Sequence, residues 1–298
     1  MGSWFGGELA LAGNEVQLLS TNAAHRDAVA ADGLVLRSAA GERRVALPIH
    51  APEAMRGPVD LVLLFTKSFQ SEAAMASVAP ALDEATTVLS LQNGLGNAEA
   101  IARHVPPSRT LLGVSMMPVD RVAPGVVAST GEGASWFGLA EGGTSPVAAR
   151  VLEAFAPTPL ALAFDEDVRR RLWEKVAFNA GMNATCALTR GSPGSVGELP
   201  EARALVRDVA REVATLAAAR DIAVDLERVF ATIDYACAHH GAHKASMLQD
   251  LEAGRRTEIE ALNGAVARLA EEAGVAVPLN RLLATLVRLA ERSPFRDG

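Results

Sequence analysis

Through the first half of the chain, short apolar runs alternate with stretches of helical period. EVQLL, DLVLLFT, TTVLSLQ and TLLGVSM read as strands. Their interiors carry few charges, as expected of parallel strands covered on both faces. Helical stretches lie between them, over 5–12, 25–31, 71–81 and 97–104. That alternation predicts an α/β, Rossmann-type doubly wound sheet. GLVLRS and ERRVALPI read as an antiparallel insertion. The Gly- and Pro-rich run after Met117, PVDRVAPGVVASTGEGASWFGLAEGG, reads as edge hairpins.

From about Asp165 the strand signal ends and period-3.6 patterning takes over. It predicts helices over 168–188, 202–220, 227–239, 255–272 and 280–292. SPGSVGELP divides the first two, and Gly274 and Pro278 the last two. The expectation is a Rossmann-type domain over 1–164 followed by an all-α domain over 165–298.

Composition narrows the function. A chain of 298 residues with 49% hydrophobic and 21% charged residues has enough apolar content for a substantial core. The net charge of −7 and the lack of a basic block give nucleic-acid binding little support. No apolar run reaches membrane-span length, and no basic segment leads into an apolar one at the N-terminus. Cys186 and Cys237 offer neither metal spacing nor a disulfide framework, which suits free thiols in a reducing cytoplasm.

Of 28 Lys and Arg residues, only Lys67, Lys175 and Lys244 are lysines. Arginine replaces lysine on most wet surfaces, but not where a compact ammonium of tunable pKa is required. Each lysine is therefore a site candidate. Lys67 ends an apolar strand, and doubly wound sheets bind ligands at the carboxyl ends of their strands. Asn93, in QNGLGN, follows the next strand and opens a glycine turn that brings backbone close to a ligand. Lys175, Asn179 and Asn183 recur at i, i+4 and i+8, which puts them on one face of an apolar helix. Interhelical hydrogen bonding would satisfy that stripe; so would a ligand. In HKASMLQDLEAGRRTEIEALNG, Ser246, Asp250 and Glu258 are spread over a turn and a helix. Glu258 is expected in the first turn of the last-but-one helix, where the dipole favours a carboxylate. Lys244 reads as a surface residue.

Taken in order, the strand ending in lysine, QNGLGN, the PGVV and TGEG hairpins, WEKVAFNAGMN and SMLQDLEAGRRTEIEALNG resemble the ketopantoate reductase (2-dehydropantoate 2-reductase) family. The resemblance spans nearly the whole chain, and the last motif is long and specific. It implies NADPH-dependent reduction of 2-dehydropantoate to pantoate, a step toward coenzyme A, in a cytoplasmic enzyme active between its two domains. Lys175 would be the catalytic lysine, donating to the carbonyl oxygen as hydride reaches carbon. Glu258 would accept from a substrate hydroxyl or orient Lys175. Asn179, Asn183 and Ser246 would hold substrate, and Lys67 and Asn93 would lie where cofactor and substrate meet.

Two departures follow from the same resemblance. The family usually places an arginine just after the second strand, for the adenosine 2′-phosphate; Asn22 stands there, with His25 and Arg26 nearby. The match also begins late: Gly2 corresponds to the last glycine of the G-x-G-x-x-G turn, with the preceding strand and earlier glycines absent. Met1 is therefore expected to be an internal methionine of the natural protein. A paralogue acting on another 2-oxo acid, or a non-catalytic ligand-binding member, are the competing expectations. The assembly is expected to be a homodimer or a monomer.

Overall fold

The structure is a computed structural model, described over residues 1–241 and 243–292. It divides into two compact units, Met1–Gln92 with Asn97–Val168, and Arg169–Gly298 with the tetrapeptide Asn93–Gly96.

The first unit opens with α1 (Gly2–Leu11), β1 (Leu18–Leu19), α2 (Ala23–Asp32), β2 (Leu34–Ser38), β3 (Gly41–Val45) and β4 (Ile49–His50). It continues with β5 (Leu61–Leu64), α3 (Ser71–Val78), β6 (Thr87–Ser90), α4 (Asn97–Ile101) and β7 (Thr110–Ser115). Then come β8 (Val119–Ala123), β9 (Val126–Ser129), β10 (Ala134–Leu139), α5 (Ala148–Phe155) and β11 (Ala161–Phe164).

The main sheet has the order β11-β10-β7-β6-β5. β5, β6 and β7 are parallel neighbours joined through α3 and α4, while β10 runs antiparallel to β7. Successive residues of β6 face opposite ways, as the two-residue strand period requires. Val88 enters a cluster with Leu64, Met75 and Ile101, and Leu89 enters one with Phe5, Leu111 and Phe137. Both faces of that strand are covered, as its uncharged sequence predicts. β5 is different: Leu61 and Leu63 are only half-buried, and among the described residues the strand pairs with β6 alone. β1 is a two-residue strand pairing in parallel with β4, shorter than EVQLL suggests.

The sequence runs GLVLRS and ERRVALPI do pair antiparallel, as β2 with β3. They are part of a larger piece, however: β2 also pairs in parallel with β9, giving a four-stranded sheet β3-β2-β9-β8. β11 is a strand that the periodicity did not indicate.

The second unit contains α6 (Val168–Thr189), α7 (Pro193–Glu198), α8 (Pro200–Ala218), α9 (Leu226–His239), α10 (Ser246–Glu252), α11 (Asn263–Ala273) and α12 (Pro278–Arg292). α7 occupies the SPGSVGELP stretch expected to be a plain connector. Pro193 fits the first helical position, and the Ser192 hydroxyl caps by accepting from Ser195 N.

α6 runs through the core of this unit, with Trp173, Val176, Ala177, Ala180, Met182, Ala184 and Ala187 buried. Its small residues permit close approach: a Cβ on Gly181 would lie 2.7 Å from the Val206 carbonyl oxygen of α8.

The helix expected over 255–272 begins only at Asn263. Residues 255–262 form turns instead. Ala261 N and Leu262 N donate to Glu258 O, but Leu262 then leaves helical geometry (φ −104°, ψ −106°). Glu258 therefore lies before α11, not in its first turn, and the helix dipole does not account for it.

Among the described residues no helix is long and apolar enough to cross a membrane. None of their His, Cys, Asp and Glu residues form a group of three placed to hold a metal ion.

Candidate active site

In the second unit three candidates converge. Lys175, on α6, is half-buried as a residue, and Glu258 is buried. Burial of the Lys175 ammonium pulls its pKa down from the ordinary 10.5 to about 8, and the charge of Glu258 acts against that fall. The Asn93 side-chain amide donates to Glu258 Oε2 at 3.3 Å. Lysine, glutamate and asparagine thus form one electrostatic group drawn from three separate chain segments.

Asn93 is held there by its own turn. Leu95 N donates to the Ala261 carbonyl at 2.8 Å. Gly94 has φ +83°, and a Cβ on it would lie 2.5 Å from Ala261 O. Only glycine serves at this position, both for its left-handed backbone and for the contact.

Asn179, buried, and Asn183, half-buried, continue the α6 row from Lys175. Behind that row Asn263 Nδ2 donates to the Ala180 carbonyl at 3.0 Å and to Asn280 Oδ1 at 3.1 Å. Asn280 in turn donates to Glu212 Oε2 at 2.9 Å. This buried amide network braces α6 against α8, α11 and α12. Sequence reasoning passed over Asn263 and Asn280, because their role depends on pairings between helices distant in sequence. Ser246 is exposed at the start of α10. Asp250 is buried and pairs with Arg255 at 3.0 Å, a structural partner. Lys244 is exposed and pairs with Glu252 at 2.7 Å, as a surface residue does.

In the first unit Lys67 follows the carboxyl end of β5 and is half-buried. Its N–H donates to Gln70 Oε1 at 3.2 Å. Gln92, next to Asn93 in the motif, was also passed over. Its Nε2 lies within hydrogen-bond distance of Thr66 O at 2.8 Å and Ser71 Oγ at 2.8 Å. It therefore fastens the end of β6 to the turn that carries Lys67.

Gly2 starts α1, where a Cβ would meet the Phe65 ring at 3.5 Å, an ordinary contact. Asn22 is exposed and caps α2, its Oδ1 accepting from His25 N at 2.8 Å. Burial pushes the Cys186 thiol up to about 12, in keeping with an inert thiol.

A mostly parallel α/β sheet with polar side chains at its strand ends, followed by a helical unit holding a low-pKa lysine, suits a dinucleotide-binding enzyme. Comparison with known proteins makes this specific. Residues 1–142 match the family profile described as ketopantoate reductase PanE/ApbA, and residues 167–291 match that of its C-terminal part. The 2-dehydropantoate 2-reductase of Halobacterium salinarum is 36% identical over 293 residues, covering 98% of this chain and 96% of that protein. Among solved structures, D-mandelate dehydrogenase with NADH and anilino(oxo)acetate is 30% identical with a TM-score of 0.93, covering 98% of this chain and 96% of that one. A 2-dehydropantoate 2-reductase from Enterococcus faecalis is 31% identical with a TM-score of 0.76, covering the same shares. The chain belongs to the ketopantoate reductase family and is an oxidoreductase.

Proposed function

We propose that the protein reduces 2-dehydropantoate to pantoate with NADPH, in the route to pantothenate and coenzyme A. Residues 1–164 would bind the dinucleotide and 165–298 the 2-oxo acid. The single observation that carries this reading is the Lys175–Glu258–Asn93 group, because a lysine with a pKa of about 8 keeps an acidic proton available near neutral pH.

The cofactor fits the residues present: lysine and amide groups stand at the ends of β5 and β6, and no carboxylate follows β1. Gly2 at the start of α1, Asn22, Lys67 and Asn93 would hold it. When bound, it supplies the hydride. Lys175 Nζ donates a hydrogen bond to the substrate carbonyl oxygen and gives up its proton as that oxygen becomes a hydroxyl. This stabilises the alkoxide charge where it develops. Glu258 keeps Lys175 charged in its buried setting and accepts from a substrate hydroxyl. Asn93 orients the carboxylate of Glu258. Asn179, Asn183 and Ser246 bind the substrate's hydroxyl and carboxylate.

A second reading is supported by the D-mandelate dehydrogenase likeness: the same groups would serve a 2-oxo acid with a different side chain. Steady-state oxidation of NADPH by the purified protein, with 2-dehydropantoate and with phenylglyoxylate, separates the two. The first reading requires kcat/KM for 2-dehydropantoate to be the larger by at least about tenfold, roughly 1.4 kcal/mol of discrimination. A preference for phenylglyoxylate contradicts it, and no turnover with any 2-oxo acid points to a non-catalytic member.

A further inference from the structure

The turn between β8 and β9 is fastened to α2 through one buried histidine. His25, in the first turn of α2, is 3% exposed. Its Nδ1 accepts from Gly125 N at 3.0 Å. Its Nε2 lies 3.0 Å from Ser3 Oγ of α1. A backbone N–H can only donate, so Nδ1 carries no proton. The ring proton therefore sits on Nε2, which donates to the Ser3 hydroxyl.

Gly125 is where three elements meet. Its N–H goes to His25 of α2, its carbonyl accepts from Val35 N of β2 at 2.9 Å, and β9 starts at the next residue. The turn lies close against the helix: at φ +73°, a Cβ on Gly125 would stand 3.1 Å from the Ala28 Cβ. Only a neutral imidazole completes this joint. The protonated ring carries a hydrogen on each nitrogen, so Nδ1–H would face Gly125 N–H, donor against donor in a buried place. Burial lowers the His25 pKa most, and the charges of Arg121 on β8 and of the Met1 amino group at the head of α1 lower it further. Ser3, Gly125 and Val35 present neutral groups, and Arg26 and Asp27 follow His25 along its own helix.

We propose that His25 is an acid-released clasp: neutral, it holds the β8–β9 turn on α2 and α1, and a proton taken up from solvent at Nδ1 lets that turn go. The direction follows from linkage. The clasped ring titrates below the ordinary 6.5, and a ring released to water returns toward it, so the open form binds more protons between those two values. As pH falls below 6.5, opening should gain up to about tenfold per pH unit, then level off below the folded pKa.

Amide exchange and imidazole NMR on the purified full chain test this, with no substrate or nucleotide added. Long-range nitrogen–proton correlations read the tautomer of His25 and its titration from about pH 5 to 8. Exchange over residues 119–129, corrected for the intrinsic pH dependence of the chemistry, reads release of the turn. His25→Asn is the control, because its side-chain carbonyl can accept from Gly125 N–H and does not titrate. The wild type is expected to hold its ring proton on Nε2. Its corrected exchange over 119–129 should rise by up to about tenfold per pH unit below 6.5, in step with the titration of His25. Strand β6, which His25 does not bond, should stay protected, and H25N should show no such rise.

Protection over 119–129 that is unchanged while His25 titrates overturns the clasp. So does a ring that carries its proton on Nδ1 or titrates at or above 6.5. An equal rise in β6 makes the opening global and contradicts a local release. An H25N chain with the wild-type acid response assigns the release to another group and overturns the proposal as well. If H25N does not fold, coincidence of exchange and titration in the wild type decides by itself.

Discussion

Lys175 carries an ionisable ammonium in a buried setting, and its chemistry has a pH signature. With a folded pKa near 8, the proton donor is present below that value and lost above it. kcat/KM for the 2-oxo acid should be flat on the acid side of pH 8 and fall about tenfold per unit beyond it. The charge of Glu258 raises the Lys175 pKa, so E258Q should move that limb to lower pH, read in the same profile. A stability effect of definite sign accompanies it. The folded pKa lies below the ordinary 10.5, so the unfolded chain binds more protons between about 8 and 10.5. Wild-type stability should therefore rise across that interval relative to K175M, in denaturant titrations at a series of pH values. Lys175 and Asn93 were legible in the sequence because lysine is scarce and the QNG turn is distinctive. Gln92 was not, because what it does depends on which carbonyl and hydroxyl of a distant segment fold next to it.

At the scale of elements, two joints hold the candidate group in place. The Asn93–Gly96 turn presses on Ala261, and G94A should push a methyl against that carbonyl while holding an unfavourable φ. A loss of about 1–3 kcal/mol is expected, measured by chemical denaturation, together with a raised KM from displaced Asn93. The second joint is the Asn263–Asn280–Glu212 network. N280A should cost about 1–3 kcal/mol by leaving buried partners unsatisfied. Strands β5, β6 and β7 and the long helices were readable from period and charge. α7 was hidden by its glycines and prolines. The run over 255–262 misled because its apolar spacing continues through a set of turns that Leu262 breaks off. The four-stranded sheet could not be read, since β2 and β9 pair in parallel across some ninety residues of sequence.

For the whole molecule, each unit has its own hydrophobic core. One is built on Trp4, Phe5, Leu36, Leu111 and Phe137, the other on Trp173, Met182, Val213, Leu216 and Ile233. Separate cores predict separable unfolding. Scanning calorimetry should resolve two transitions. A saturating nucleotide should raise that of the first unit, by about 2.7 kcal/mol at a hundredfold excess over Kd. The division into an α/β half and a helical half was visible in the change of period near Asp165. That Asn93–Gly96 belongs with the helical unit was not, because its local sequence is an ordinary turn of the sheet.

The central claim is that Lys175 supplies the proton when a 2-oxo acid is reduced. The measurement that tests it most directly is kcat with 2-dehydropantoate for the wild type and K175M, with NADPH affinity measured on both. K175M should lose about 10²–10⁴ in kcat while NADPH affinity holds within about twofold. A K175M enzyme that turns over at the wild-type rate, with its pH profile unchanged, would contradict the account.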